Sequence, residues 1–339
     1  MPADRVTAPT IPAPSSAEVL TDAVCGVLSG TPLTEAALRC GLTVEELAAA
    51  VEIYCHAGET ALQDHVADAG WWQAHLEFTA WDQAEHFAAV HLQPQLHDWS
   101  INGLLDRWWF IRKAPCWRVR LRPHPASSRE ALVTTAAAFF DRLVVDGHLA
   151  RWQPTHYEPE TLAFGGPIGI TIAHDLFSAD TRNLLAYLRA GETPMGRREL
   201  SLLLCTALFR AARQEGFEAG DIWHRVGRLR PDPDHASTDT RHHATLTTQL
   251  RTLLSYDIRL SGPLFGPGGP LAMVRPWAEA FHDAGQALAV AAAQSNLHRG
   301  LRAILAHHVI FHWNRLGLDA TTQHALAHAA TGAILQRDP

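Results

Sequence analysis

The stretch RWWFIRKAPCWRVRLRP, residues 107–123, decides the fold. It carries six Arg and Lys residues, the large rings Trp108, Trp109, Phe110 and Trp117, and no acid. RWWFIRK (107–113) and CWRVRLR (116–122) read as strands, joined by a short Ala114-Pro115 turn. The stretch is therefore a hairpin, and the period of two puts Arg118, Arg120 and Arg122 on one face of its second strand. Aligned like charges repel, so an anion is expected to offset them, and a guanidinium fork suits carboxylate or phosphate. A solvated sheet face with surface acids nearby is the plainer alternative.

Working outward, WWQAHLEF (71–78) reads as a strand and WDQAEHFAAVHLQPQL (81–96) as a helix. SREALVTTAAAFFDRLVVDG (128–147) is a helix ending at Gly147, and LARWQPTHYEP (149–159) is strand-like. Strand, helix, strand, strand, helix, strand is the split βαβ, ferredoxin-like order. From about residue 171 the apolar period becomes helical, over 172–190, 196–216, 219–228, 239–256, 272–293, 296–315 and 320–336. RPDPDHASTD (230–239) and SGPLFGPGGP (261–270) interrupt it as connectors or lids.

Before the sheet region, residues 17–63 show helical spacing broken at Gly30 and Gly41, with Thr34 and Thr43 as expected N-caps. Three short helices result, in a helix-turn-helix rhythm. The second, TEAALRC, carries a single Arg, which favours a docking or packing module over a DNA reader. Residues 1–16 are rich in Pro, Ala and Ser and are expected to be disordered. The class is α+β: a ferredoxin-like sheet region, a largely helical C-terminal half, and a small N-terminal helical module. Boundaries are expected at 1–16, 17–66 and 71–336.

Bulk properties exclude several functions. The net charge of -7 over 339 residues argues against coating nucleic acid. Five cysteines, with no C-x-x-C pair, fit a reducing cytoplasm and argue against a Cys-based zinc site. The N-terminus lacks an apolar signal region, and no apolar run reaches membrane-spanning length. No phosphate loop or dinucleotide fingerprint is visible, so no cofactor is expected.

HYEPETLAFGGPIG (156–169) follows the last strand. Glu158 and Glu160 lie two apart, so one can reach the Arg face. Gly165 and Gly166 allow a tight bend or a close backbone approach to a ligand. A structural Arg–Glu pair plus a turn is the alternative. In HHVIFHWNRLGL (307–318), His308 and His312 share a helix face with Arg315, and Phe311 and Trp313 are expected in the core. Proton transfer suits this His pair better than a metal, because no H-E-x-x-H and no third ligand accompany it. Ser178 and Asp180, in AHDLFSADTR (173–182), read as structural, as does the amphipathic helix within 216–231.

The order WWFIRK…CWRVRLR, YEPE…FGG, HDLFSADTR and HWNRLGL resembles the C-terminal domain family of lantibiotic dehydratases. That family is also called the thiopeptide-type bacteriocin biosynthesis domain. The resemblance covers roughly residues 71–336, and the early helices look like the front of stand-alone actinobacterial members. It implies the following chemistry. Full dehydratases attach glutamate from glutamyl-tRNA to Ser or Thr of a precursor peptide. Their C-terminal domain eliminates it, leaving dehydroalanine or dehydrobutyrine. Related stand-alone members are pyridine synthases, which join two dehydroalanines by a formal aza-cycloaddition.

For this chain the resemblance implies a lyase acting on a precursor peptide of leader plus core. A separate glutamyl-tRNA-dependent partner protein would supply the glutamylated substrate. No cofactor, membrane or direct nucleic-acid contact is implied, and a homodimer is left open. Arg118 and Arg120 match the family's R-x-R strand and would hold glutamate or the developing charge. Glu160 matches the Glu of its E-x-x-R-(Y/F)-G-G motif. His308 or His312 would be the acid/base His preceding NR, and Asn314 and Arg315 match that NR. One departure stands out: Ala163 occupies the position of the family's Arg. Arg112 or Arg122 are candidates to replace it. The departure weakens elimination and raises pyridine formation, with a non-catalytic, precursor-binding adaptor as the third reading.

Overall fold

The computed structural model describes residues 16–191, 195–231 and 240–335. Two compact units divide the chain, Met1–Ala67 and Asp68–Pro339. The Pro-rich segment 1–15 and residues 232–239 of the first long loop lie outside the described residues.

In the first unit, α1 (Ser16–Leu28), α2 (Leu33–Cys40) and α3 (Val44–Ala69) surround a small core of Ala23, Val24, Ala36, Ala37 and Leu47. Thr43 caps α3: its hydroxyl accepts the Glu46 N–H at 3.1 Å, and Glu46 accepts the Thr43 N–H at 2.9 Å. This is a reciprocal capping box. Thr34 is not a cap, because α2 begins one residue earlier, behind Pro32. Arg39 in α2 is tied to Glu35 one turn away, so the helix presents no unpaired cation to a phosphate.

The second unit opens with β1 (Trp72–Phe78). A helical stretch follows: a 3-10 turn, α4 (Ala84–Phe87), a π turn and α5 (Gln93–Ile101). Then come β2 (Leu105–Lys113), β3 (Cys116–Pro123), α6 (Arg129–Val145) and β4 (Leu149–Thr155). The strand order is β2-β3-β1-β4, with every pair antiparallel. That is the split βαβ topology expected from the hairpin outward. Ser128 caps α6 by accepting the Ala131 N–H at 3.0 Å.

Alternation divides the hairpin between two cores. Trp108, Phe110, Trp117, Val119 and Leu121 join the main core, where the Phe110 and Trp117 rings stack at 4.2 Å. Trp109 faces the other way, with Trp71, Tyr157, Phe164, Ile170 and Phe177. The sheet is thus covered on both faces. Burying each such ring contributes roughly 1.5–3 kcal/mol, enough to hold the helical half on the Arg-bearing face.

That half comprises α7 (Pro167–Ala190), α8 (Arg197–Ala211), α9 (Phe217–Leu229), α10 (Thr240–Leu254), α11 (Arg275–Ala293), α12 (Leu301–Leu316) and α13 (Ala320–Leu335). Helices α7 and α12 lie against β2. The start of α7 precedes the expected residue 172, because Pro167 opens the first turn, where its missing N–H costs nothing. Conversely, α12 starts at Leu301 rather than 296. The SGPLFGPGGP loop is a packed connector: Phe265 is fully buried, and Leu271 donates to the Leu264 carbonyl at 2.9 Å. Among the described residues, no helix is long and apolar enough to cross a membrane.

Candidate active site

The three aligned arginines of β3 meet three environments. Arg120 is buried, 7% exposed. Its Nε donates to Gln73 Oε1 at 2.7 Å, and its guanidinium lies 4.2 Å from the Trp109 ring and 5.3 Å from the Tyr157 ring. Gln73 is itself anchored, donating to Thr155 Oγ1 at 2.7 Å and the His156 carbonyl at 3.0 Å. A neutral amide and two π faces therefore orient the cation without neutralising it. Among the described residues, no carboxylate forms an ion pair with Arg120. Burial pushes its pKa down to about 9, so it remains charged at neutral pH.

Arg118 and Arg120 share one wall of a cavity of about 470 Å³. Arg112, Lys113 and Arg230 also line it, against only two carboxylates, Glu158 and Glu160. Trp109, Tyr157, Phe164, Phe177 and Phe311 supply aromatic surface, and His307 and Asn314 complete the wall. Excess positive charge over an aromatic floor suits an anionic ligand with apolar neighbours. A larger cavity, about 1010 Å³, lies in the helical half around Phe209 and Trp223. Its cations are engaged internally: Arg259 with Asp257, Arg275 with Glu279, and Arg210 with the Leu254 and Tyr256 carbonyls. The smaller cavity is therefore the better candidate for chemistry.

Two expected arginines do other work. Arg112 reaches the cavity wall but is ion-paired with Glu85, which also binds Arg197 through contacts of 2.8 and 2.9 Å. Burial opposes ionisation of Glu85, yet Arg197 and Arg112 outweigh it and hold its pKa at about 2. Arg122 lies outside the cavity, with its Nε 3.7 Å from Asp106. Neither supplies an unpaired cation in place of Ala163. Instead Arg299 reaches that position from the loop before α12, donating to the Ala163 carbonyl at 3.2 Å.

His308, His312 and Arg315 lie behind the cavity wall. Asp180, fully buried, accepts from His312 Nδ1 at 2.9 Å, from Trp277 Nε1 at 2.7 Å and from Arg315. Burial works against the Asp180 charge, but His312 and Arg315 prevail and hold its pKa below the ordinary value. Arg315 Nε also donates to the Phe110 carbonyl at 3.2 Å, tying α12 to β2. His312 Nε2 is buried without a partner. Both His308 nitrogens are likewise unpartnered, its ring lies 4.9 Å from Phe164, and burial takes its pKa to about 3. Asn314 does face the cavity, and its Oδ1 accepts from Gln323 at 3.0 Å. Phe311, expected in the core, packs against it, stacked on Phe177 at 5.1 Å, and also lines the cavity.

Gly165 and Gly166 adopt φ of 92° and 93°. A Cβ at Gly165 would overlap Ile304, and one at Gly166 would come within 2.7 Å of the His298 ring. The close approach these glycines permit is to protein, since neither lines the cavity.

Sequence reasoning missed Gln73, Tyr157, His174, Arg230 and His307. The Tyr157 hydroxyl lies 2.7 Å from His174 Nε2. Burial, with Arg122, Arg107 and Arg120 adding, lowers His174 to about 3, so the imidazole is neutral. Only strand register pairs Gln73 with Arg120, and only the packing of α9 brings Arg230 to the wall. Among the described residues, no group of three His, Cys, Asp or Glu side chains could hold a metal ion.

A family model, lantibiotic biosynthesis dehydratase C-term, matches residues 71–334. Among curated proteins, none matches the chain. Solved structures with the same fold include the tRNA-dependent lantibiotic dehydratase MibB from Microbispora sp. 107891. It is 18% identical with a TM-score of 0.60, and the match covers 79% of this chain and 28% of MibB. TsrL is 18% identical, TM-score 0.50, with 78% of this chain and 94% of TsrL covered. The pyridine synthase TbtD, from thiomuracin biosynthesis, is 15% identical, TM-score 0.51, with 78% and 97% covered. The chain thus spans little more than a quarter of MibB. At these identities the structures speak for fold alone, whereas the family model covers most of the chain. The chain belongs to the lantibiotic biosynthesis dehydratase C-terminal family.

Proposed function

We propose that this protein is an enzyme that matures a ribosomally synthesised precursor peptide. In this reading it eliminates glutamate from glutamylated Ser or Thr, leaving dehydroalanine or dehydrobutyrine. The observation that carries the reading is Arg120: a buried cation, oriented by Gln73 and Trp109, with no carboxylate ion-paired to it among the described residues. Such a group stabilises charge that arrives with the substrate or develops during the reaction.

Elimination makes two such demands. Loss of the α-proton places enolate-like charge on the peptide carbonyl, and glutamate departs as a carboxylate. Arg118 and Arg120 meet these charges, with Lys113 and Arg230 adding to the local field. Glu160 and Glu158 offer carboxylates to the ammonium of the glutamyl group. Asp180, His312 and Arg315 hold α12 in place behind the wall. A separate glutamyl-tRNA-dependent protein supplies the glutamylated peptide, in the cytoplasm.

Mass spectrometry of the glutamylated precursor after incubation with this protein tests the reading. Loss of one glutamate mass at each modified residue supports it, and persistence of the glutamylated peptide overturns it. Ala163 and the aromatic floor favour a second reading, pyridine formation. Release of a leader fragment with loss of water, from already dehydrated peptide, would select it. No change in either substrate would leave an adaptor.

A further inference from the structure

We infer that Arg230 and Asn314, held by Gln323, form a second anion subsite of this cavity, which takes a second carboxylate of the peptide substrate. The inference rests on the peptide-modifying role proposed above and deepens it. Arg230 follows the last turn of α9 and lines the cavity, as does Asn314 of α12. A ligand there meets a cation from the helices as well as those from the sheet.

Gln323, on α13, is buried and uses both ends of its amide. Its Oε1 accepts from Arg230 Nε at 2.8 Å. Its Nε2 donates to Asn314 Oδ1 at 3.0 Å and to the Leu318 carbonyl at 2.8 Å. A guanidinium only donates and a carbonyl only accepts, so the Gln323 amide has one orientation. That orientation fixes Asn314 in turn. Its oxygen is taken, and among the described residues its Nδ2 hydrogens have no protein acceptor. The Arg230 main chain is pinned as well: its N–H donates to the Val226 carbonyl at 3.0 Å, and its carbonyl accepts from His324 Nδ1 at 2.9 Å.

Among the described residues, no carboxylate forms an ion pair with Arg230. Burial opposes its charge, and exposed Glu160 favours that charge through space. Its Nη1 donates to the Leu229 carbonyl at 3.1 Å, which adds no negative charge. The arrangement repeats that of Gln73 and Arg120, where an amide oxygen accepts from Nε at 2.7 Å and leaves the cation uncancelled. A wall of N–H donors around a cation selects carboxylate over a neutral amide. Gln323 is a positioning residue: it acts through Arg230 and Asn314.

Two sources offer the carboxylate. One is the side chain of a glutamyl group esterified through its α-carboxyl, as it is on tRNA. The other is an acidic residue of the peptide beside the modified Ser or Thr.

The test uses precursor peptides carrying glutamate or glutamine on a diaminopropionate residue, a stable amide in place of the ester. Each is made with its neighbouring acids intact or changed to amides. Titration calorimetry measures binding to wild type, Arg230→Gln and Gln323→Met. One of the two replacements should weaken wild-type binding by about tenfold or more. Sensitivity to glutamine assigns the carboxylate to the glutamyl group, and sensitivity to the neighbouring amides assigns it to the peptide. Arg230→Gln should lose that discrimination and Gln323→Met most of it, whereas a packing role would weaken every peptide alike and preserve the ratio. Wild type indifferent to both replacements, or Arg230→Gln discriminating as wild type does, overturns the subsite. Full discrimination by folded Gln323→Met overturns the positioning role. Glutamate release from the corresponding ester is followed in parallel. Discrimination without release overturns elimination and leaves the subsite, and release without discrimination does the reverse.

Discussion

Gln73 and Arg120 stand directly opposite each other on β1 and β3, joined by a 2.7 Å hydrogen bond from the guanidinium to the amide oxygen. A carboxylate at position 73 would bind Arg120 more strongly but cancel its charge. The amide fixes direction and leaves the charge for a ligand. Gln73→Glu should therefore fold normally and lose affinity for an anionic peptide by about tenfold or more, the worth of one charge-assisted hydrogen bond. Titration calorimetry with the glutamylated precursor checks this, and unchanged affinity would contradict the role given to the uncancelled charge.

Asp180 is the common anion of His312 and Arg315, sealed between α7, α12 and β2. Asp180→Asn leaves three buried donor residues, His312, Trp277 and Arg315, facing a neutral amide. Breaking a buried pair typically costs about 3–5 kcal/mol. Urea denaturation should show a loss of that order, and a change under about 1 kcal/mol would mean that the cluster does not hold the helices.

The Glu85 bridge to Arg112 and Arg197 predicts an acid-sensitive contribution to stability. The carboxyl lies at about 2 in the folded protein against an ordinary 4.5. A depressed carboxylate stabilises fully above its unfolded value and loses that contribution as pH falls towards its folded value. Wild type should exceed Glu85→Gln by on the order of 2 kcal/mol near neutrality, and the gap should close between about pH 4.5 and pH 2. Denaturation midpoints across that range decide it, and a constant gap would rule out the bridge as its source.

Gly165→Ala separates a packing role from a ligand role. Positive φ and the overlap with Ile304 together predict a loss of about 1–3 kcal/mol. The remaining folded protein should bind peptide normally. Intact stability with lost binding would instead place a ligand against this turn.

The hairpin and its flanking elements were legible because period-two and helical spacing are local properties. They gave the strand order, and the R-x-R pattern led to Arg118 and Arg120. Register, however, depends on which strands meet. Neither Gln73 opposite Arg120 nor the Arg112–Glu85 bridge has a local signature. The helix 301–316 was legible as a helix, but its His308 and His312 share a face that turns away from the cavity, while the adjacent His307 lines it. In a helix covered on nearly every side, face-sharing does not tell which face is functional. Ala163 was legible as a departure, and the arrival of Arg299 from more than a hundred residues later was not.

The most direct measurement is the rate of glutamate release from a glutamylated precursor by Arg120→Met, beside wild type. Methionine keeps much of the apolar contact with Trp109 and removes the charge. The account predicts release by wild type, a fall on the order of a hundredfold or more in the variant, and an unchanged fold by circular dichroism. Equal release by the two proteins would contradict the claim that this buried cation serves the reaction.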